Sequence, residues 1–413
     1  MSISPLLFKA LRNLETLNSW QTQIPIQWKN KKKQFTWNDS WKDVTPWYVS
    51  FFLLVILHTF FGSLGIIGYM RMVPQTDKFA LVVRLRCMYS VLGSFLGIII
   101  AIVICFDGKD YIEFINRIIT FDQHATAELR RLEVKPVEKF DPFANAMYLV
   151  VLLLSIIPPV YCIPPVIHGH TVLQYIVHQI YPNFMKKIGF RLMIKIVNYF
   201  VMLVSVTEIF RLIPLMFLSL SLPVITARNE LESMDRYGKM VIKIRRLELH
   251  GSKVIPHFCA MLGIYCQGYI LISIRRQISA GHDFIVFVVS ITLSVVANYF
   301  TIVLYPIVPQ NVYPAFPTVA VSTITVLHLL ISIAVDVVVK AKEFTVEWGK
   351  LVPVRNRYLA KKFRALRPFQ IVFGVYDFPL VVFSRSLKIK TYQTIWDYTI
   401  NTALTWPLSL FQK

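Results

Sequence analysis

Residues 373–411 read FGVYDFPLVVFSRSLKIKTYQTIWDYTINTALTWPLSLF. The segment follows the most basic loop of the chain and carries its last apolar run. Within it Gln393, Asp397, Asn401 and Thr405 recur every four residues. On a helix that spacing places polar groups on one slowly drifting face, with Ile395, Tyr398, Leu404 and Trp406 largely on others. A polar stripe on a membrane helix needs water or another helix beside it. Two readings follow. The helix lines a water-filled pathway shared between subunits, or its stripe is buried against neighbouring helices of the same chain.

The membrane setting comes from composition. Of 413 residues, 55% are hydrophobic and 16% charged, with a mean hydropathy of +0.54. Soluble domains carry roughly 25% charged residues, so this chain has too few to solvate its own surface. The formal charge is +21. The basic residues sit mostly between apolar runs, so cytoplasmic loops of a membrane protein account for them at least as well as nucleic acid does. Cys87, Cys105, Cys162, Cys259 and Cys266 show no paired spacing and read as small buried hydrophobes rather than a disulfide framework. No cleavable signal sequence is expected at the N-terminus. The sequon at Asn38 would then lie in the cytosol, unused.

Upstream, residues 1–46 form a basic segment with Lys29, Lys31, Lys32 and Lys33 close before the first apolar run. Expected spans cover residues 47–69, 87–106 and 146–166, each near the roughly 20 residues a bilayer requires. Ile112, Ile115, Ile118 and Ile119 extend the second as a helix beyond the membrane. Pro158, Pro159, Pro164 and Pro165 are expected to break or kink the third. His168 and His170 follow, a weak metal signal better read as a solvated pair. The fourth apolar segment, 193–225, is too long for one perpendicular span. Pro214 would kink it, or its end would protrude. Glu208 and Arg211 sit within it, three apart on one face, either as a structural ion pair or as a ligand or gating contact.

Residues 226–253 are basic and partly amphipathic. Segment 254–274 is ambiguous: it is apolar, contains Pro256, and has basic residues at both ends. Two stronger spans follow at 284–307 and 317–339, with Asp336 and Lys340 placed to pair four apart. The loop from Lys340 to Arg367 holds nine basic residues against Glu343 and Glu347. If that loop and the Lys29–Lys33 cluster are both cytoplasmic, an even number of crossings separates them. Seven candidates lie between, so one does not cross, and 254–274 is the weakest. The expected fold is therefore all-α: seven transmembrane helices, N-terminus inside and C-terminus outside. A 1–46 segment precedes a 47–412 membrane domain with cytoplasmic extensions at 107–144, 226–276 and 340–376.

The C-terminal residues resemble those of insect gustatory receptors and related nematode chemoreceptors. Phe373 to Asp377 look like the aromatic entry with its Asp. Leu380 to Phe383 look like the apolar run, and Thr391-Tyr392 like the Thr-Tyr pair that follows. The sequence departs from that pattern at Arg385, Lys388 and Lys390, and Tyr398-Thr399 stand where Gln-Phe is expected. The resemblance implies a multi-pass protein of the plasma membrane. It would be a subunit of a homo- or hetero-tetrameric, ligand-gated, non-selective cation channel, its pore lined by the last helix and its small-molecule pocket inside each subunit. Gln393, Asp397 and Asn401 would then face the pore; alternatively Asp397 sits at the membrane edge, pairing with Lys390 or a neighbouring helix. A non-conducting receptor signalling through a cytoplasmic partner, and a transporter or light-responsive relative, are the alternatives. No hydrolase triad, phosphate-binding glycine loop or metal cluster is recognisable, so no cofactor and no enzyme activity are expected.

Overall fold

The structure is a computed structural model. It describes residues 5–17, 22–52, 78–131, 142–167, 187–247, 255–303, 313–351, 357–375 and 378–407, with isolated positions between them. The elements in order are α1 (Pro5–Leu17), β1 (Ile26–Lys29), β2 (Gln34–Trp37), α2 (Trp41–Ser50), α3 (Lys78–Arg131), α4 (Pro142–Ile167) and α5 (Ile188–Leu247). Then come α6 (Ile255–Val303), α7 (Ala315–Leu351), α8 (Arg357–Ala365), β3 (Val372–Val375), β4 (Phe378–Val382) and α9 (Arg385–Thr405). Most of the expected first span, together with His168, His170 and Asp377, lies outside the described residues.

Long rods dominate. The 60 residues of α5 correspond to roughly 90 Å at the helical rise, three times a hydrocarbon core of about 30 Å. Its apolar half and the basic stretch after it are one helix, uninterrupted at Pro214 and Pro223. Such a length is what the expected protrusion requires. The expected break in α4 does not occur: helix continues through Pro158, Pro159, Pro164 and Pro165 to Ile167. Proline removes a donor, but packed neighbours let an apolar helix tolerate the loss. In α3 the helix does run on beyond the apolar segment, and Ile112, Ile115, Ile118 and Ile119 are all buried.

Among the described residues, four helical stretches are long and apolar enough to cross a membrane: Ile188–Leu215, Ile255–Arg276, Ala280–Val303 and Phe316–Trp348. The middle two are consecutive parts of α6. That helix has 49 residues, roughly 74 Å, so a single bilayer core can hold only one of its halves. Between them sits a buried ion pair, Arg275 Nη2 to Asp283 Oδ2 at 2.5 Å. Segment 254–274, expected to be the weakest crossing, is thus the first half of one rod and is itself long and apolar enough to cross a membrane.

The purely helical expectation needs correction. Two antiparallel hairpins are present, β1–β2 and β3–β4. The first is bolted to α3, since Asn116 accepts from Phe35 N at 2.9 Å and donates to Phe35 O at 2.7 Å. Its tip is the lysine run, with Lys33 in the left-handed region at φ 50°. The second hairpin occupies part of the expected 340–376 helical extension and the apolar run after it. At Gly374 a Cβ would lie 2.0 Å from Phe378 O, so only glycine fits the irregular register there.

One apolar core runs through the rods. Phe258, Tyr265, Phe344, Trp348, Phe363 and Phe369 stack and cross around the junction of α6, α7 and α8. Beside it a charge network joins α5 to α7. Asp336 forms ion pairs with Arg228 at 2.7 Å and with Lys340 at 3.2 Å, and Lys340 also bonds Glu232. The Asp336–Lys340 pairing expected from spacing is thus part of a larger cluster.

Candidate functional site: the exposed face of the last helix

Helix α9 begins where Ser384, in an extended conformation, accepts a hydrogen bond from Leu387 N at 3.3 Å through its side chain. It ends at Trp406, whose successor Pro407 disfavours continued helix. Thr391, Ile395 and Thr399 are its buried residues and form the strip that seats it on α6. The buried hydroxyls are satisfied within the helix: Thr391 donates to Leu387 O at 2.9 Å and Thr399 to Ile395 O at 2.7 Å. Tyr299 of α6 donates to Trp406 O at 2.8 Å and ties down the far end.

Gln393, Asp397 and Asn401 are all exposed. With 3.6 residues per turn, Asp397 lies roughly opposite the centre of the buried strip. Its carboxylate has no ion-pair partner among the described residues. The expected alternative, a stripe buried against neighbours in the same chain, is not what this chain adopts. Exposed apolar residues Ile389, Trp396 and Ile400 border the stripe on one side, and exposed Leu404 lies close to the line itself. A polar line beside an apolar strip on the outer face of a helix suits water on the line and protein or lipid on the strip.

The motif residues have separate roles. Thr391 is in the buried strip. Tyr392 reaches α7, where its hydroxyl lies 2.7 Å from His328 Nδ1. Asp377 lies outside the described residues.

Glu208 and Arg211 are brought together and sealed, at 2% and 5% exposure. They pair through Glu208 Oε2 and Arg211 Nη2. Trp47 Nε1 donates to Glu208 Oε2 at 3.0 Å, Thr22 Oγ1 to Glu208 Oε1 at 3.3 Å, and Arg211 Nη1 to Thr22 O at 2.7 Å. The pair therefore clasps the N-terminal segment and α2 onto α5. Sequence spacing could locate the pair but not its partners, which lie more than 160 residues away in the chain.

A cavity of about 60 Å³ lies under the first hairpin, lined by Phe35, Ile104, Ile112, Leu215, His282 and Val286 among others. His282 Nε2 lies 3.1 Å from Asp107 Oδ2 at its edge. Sequence reasoning missed this site, because nothing in residues 26–35 announces that they roof a space between α3 and α6.

No family model matches the chain, and no curated protein matches it significantly. Solved structures do. The insect olfactory receptor OR5 from Machilis hrabei is similar over 95% of this chain and 96% of its own, with a TM-score of 0.53 at 11% identity. The same receptor in complex with eugenol is similar over 97% and 98%, with a TM-score of 0.53 at 12% identity. At such identity the likeness concerns architecture. This chain has the fold of an insect olfactory receptor, over nearly its whole length.

Proposed function

We propose that the chain is a chemoreceptor subunit of a ligand-gated, non-selective cation channel in the plasma membrane. In this reading four subunits, of one or two kinds, meet at their last helices. The rods α3, α5, α6 and α7 each send one end into the cytosol. The N-terminal hairpin and the basic loop from Lys340 to Arg367 lie on that side, and the C-terminus emerges opposite, after seven crossings. The single observation that supports a pore is the outward polar face of α9. Gln393, Asp397 and Asn401 are turned away from the chain's own core, where copies of the helix could enclose water. Asp397 would then form an acidic ring, which favours cations. The fold likeness to an olfactory receptor with a eugenol complex supports a small organic ligand. Such a ligand opens the channel by binding the open state more tightly than the closed one.

The test is ion flux through purified protein in liposomes, with eugenol as the probe ligand. Flux that favours cations, and a loss of that preference in Asp397→Asn, are the expected results. Unchanged permeability in the variant removes Asp397 from the mechanism. A protein that never conducts while still binding ligand would instead be a receptor acting through a cytoplasmic partner.

A further inference from the structure

Lys390 shares the outward face of α9 with Asp397. Seven residues at 3.6 per turn return it to within about 20° of Asp397, roughly 10 Å nearer the start of the helix. Lys390 is exposed, and it has no ion-pair partner among the described residues. The other cations of this segment do not share the line. Lys388 is half-buried on the packed side, and Arg385 falls about 120° away from Asp397. Ser386, also exposed, continues the line one turn below. The outward stripe therefore reads Ser386, Lys390, Gln393, Asp397, Asn401: one cation and one anion in series.

We propose that Lys390 limits the cation preference of the pathway that α9 lines, by impeding cations at the end nearer Arg385. The inference rests on the pore reading above and sets how far its cation preference extends. An ion passing along the stripe meets both charges. A cation is stabilised beside Asp397 and repelled beside Lys390, and an anion the reverse. The separation of roughly 10 Å slightly exceeds the screening length of about 8 Å at physiological salt, so neither charge cancels the other. Each ion is held back by the group of its own sign. Because the two charges lie at different depths, current in one direction exceeds current in the other.

The experiment is a recording from the purified full-length chain in planar bilayers under a tenfold KCl gradient, with eugenol as probe. A fully selective univalent pore reverses about 59 mV from zero for that tenfold ratio. The wild-type chain is expected to reverse on the cation side of zero but short of that limit. Lys390→Gln should move the reversal toward the cation limit and Asp397→Asn toward the anion limit, while Lys390→Arg leaves it in place. A second readout needs no variant. Rectification in the wild type should fade at molar salt on both sides, where screening shortens to about 3 Å. Current with an unmoved reversal in Lys390→Gln, or rectification indifferent to salt, overturns the role of Lys390 and leaves the pore standing. A wild-type chain that passes no current overturns the pore reading and this inference together.

Discussion

Removing one member of the Glu208–Arg211 clasp should cost far more than removing both. In Glu208→Ala the Arg211 guanidinium stays buried with only Thr22 O to satisfy it, and Trp47 Nε1 loses its acceptor. Breaking a buried pair by deleting one partner costs about 3–5 kcal/mol. Orphaning a buried donor adds roughly 1–3 kcal/mol, partly offset if Trp47 finds water. A domain stable by about 5–15 kcal/mol would lose a large share of its stability. The double variant Glu208→Met with Arg211→Leu keeps the volume and buries no charge. Replacement of such pairs by apolar groups is often neutral or stabilising, so most of the loss should return. The assay is the thermal midpoint of detergent-solubilised protein, followed as the fraction remaining monodisperse, with ion flux measured in parallel. Equal stability of Glu208→Ala and wild type would refute the clasp. A double variant as unstable as the single one would show that the cost is packing rather than charge. A double variant that folds but no longer responds to ligand would return the pair to the gating role that its position first suggested.

Two further outcomes follow from contacts near the C-terminal end of α5. Gly238→Ala should destabilise by about 1–3 kcal/mol, since the added Cβ would lie 2.8 Å from Cζ2 and 3.0 Å from Cε2 of the buried Trp348 ring; a thermal shift reads this. Burial pushes the Tyr237 hydroxyl above its ordinary pKa of 10, so the folded state favours the protonated phenol. Its contribution is complete below pH 10 and declines above it, by up to about 1.4 kcal/mol per pH unit, and Tyr237→Phe should flatten that alkaline loss in denaturant titrations.

Much of the architecture was legible because apolar length and charge placement are strong signals. The parity of basic loops picked out 254–274 as the weakest crossing; the structure makes it one rod with the segment after it, and it is itself long and apolar enough to span. Spacing also located Asp336 with Lys340, and Glu208 with Arg211. What stayed hidden was whatever depends on distant partners. Arg228 and Glu232 complete the first cluster from α5, and Thr22 and Trp47 complete the second from the N-terminus. The hairpins were missed for a local reason. Residues 26–37 pair in a strand register, but four-residue strands are too short for alternation to stand out from noise. In 372–382 an apolar run reads equally as buried helix or strand. The prolines of α4 misled because propensity treats each as a breaker, whereas tertiary packing overrides it.

The polarity of α9 itself constrains where it can sit. Its 21 residues include Arg385, Lys388, Lys390 and Asp397, five threonines, and the amides Gln393 and Asn401. No window of it meets the apolarity of the four membrane-capable stretches. Yet it packs on α6 through one buried strip, touches α7 through Tyr392, and leaves its opposite face open. A helix this polar cannot turn an open face to hydrocarbon, because each charge there costs about 2.5–3.5 kcal/mol even on the most lenient scale. If α9 crosses the bilayer, protein or water must cover its outward stripe. In the proposed channel, other copies of the chain supply that cover. Trp396 and Ile400, which border the stripe on one side, are the surfaces on which those copies would seat, with the polar line left facing the water between them.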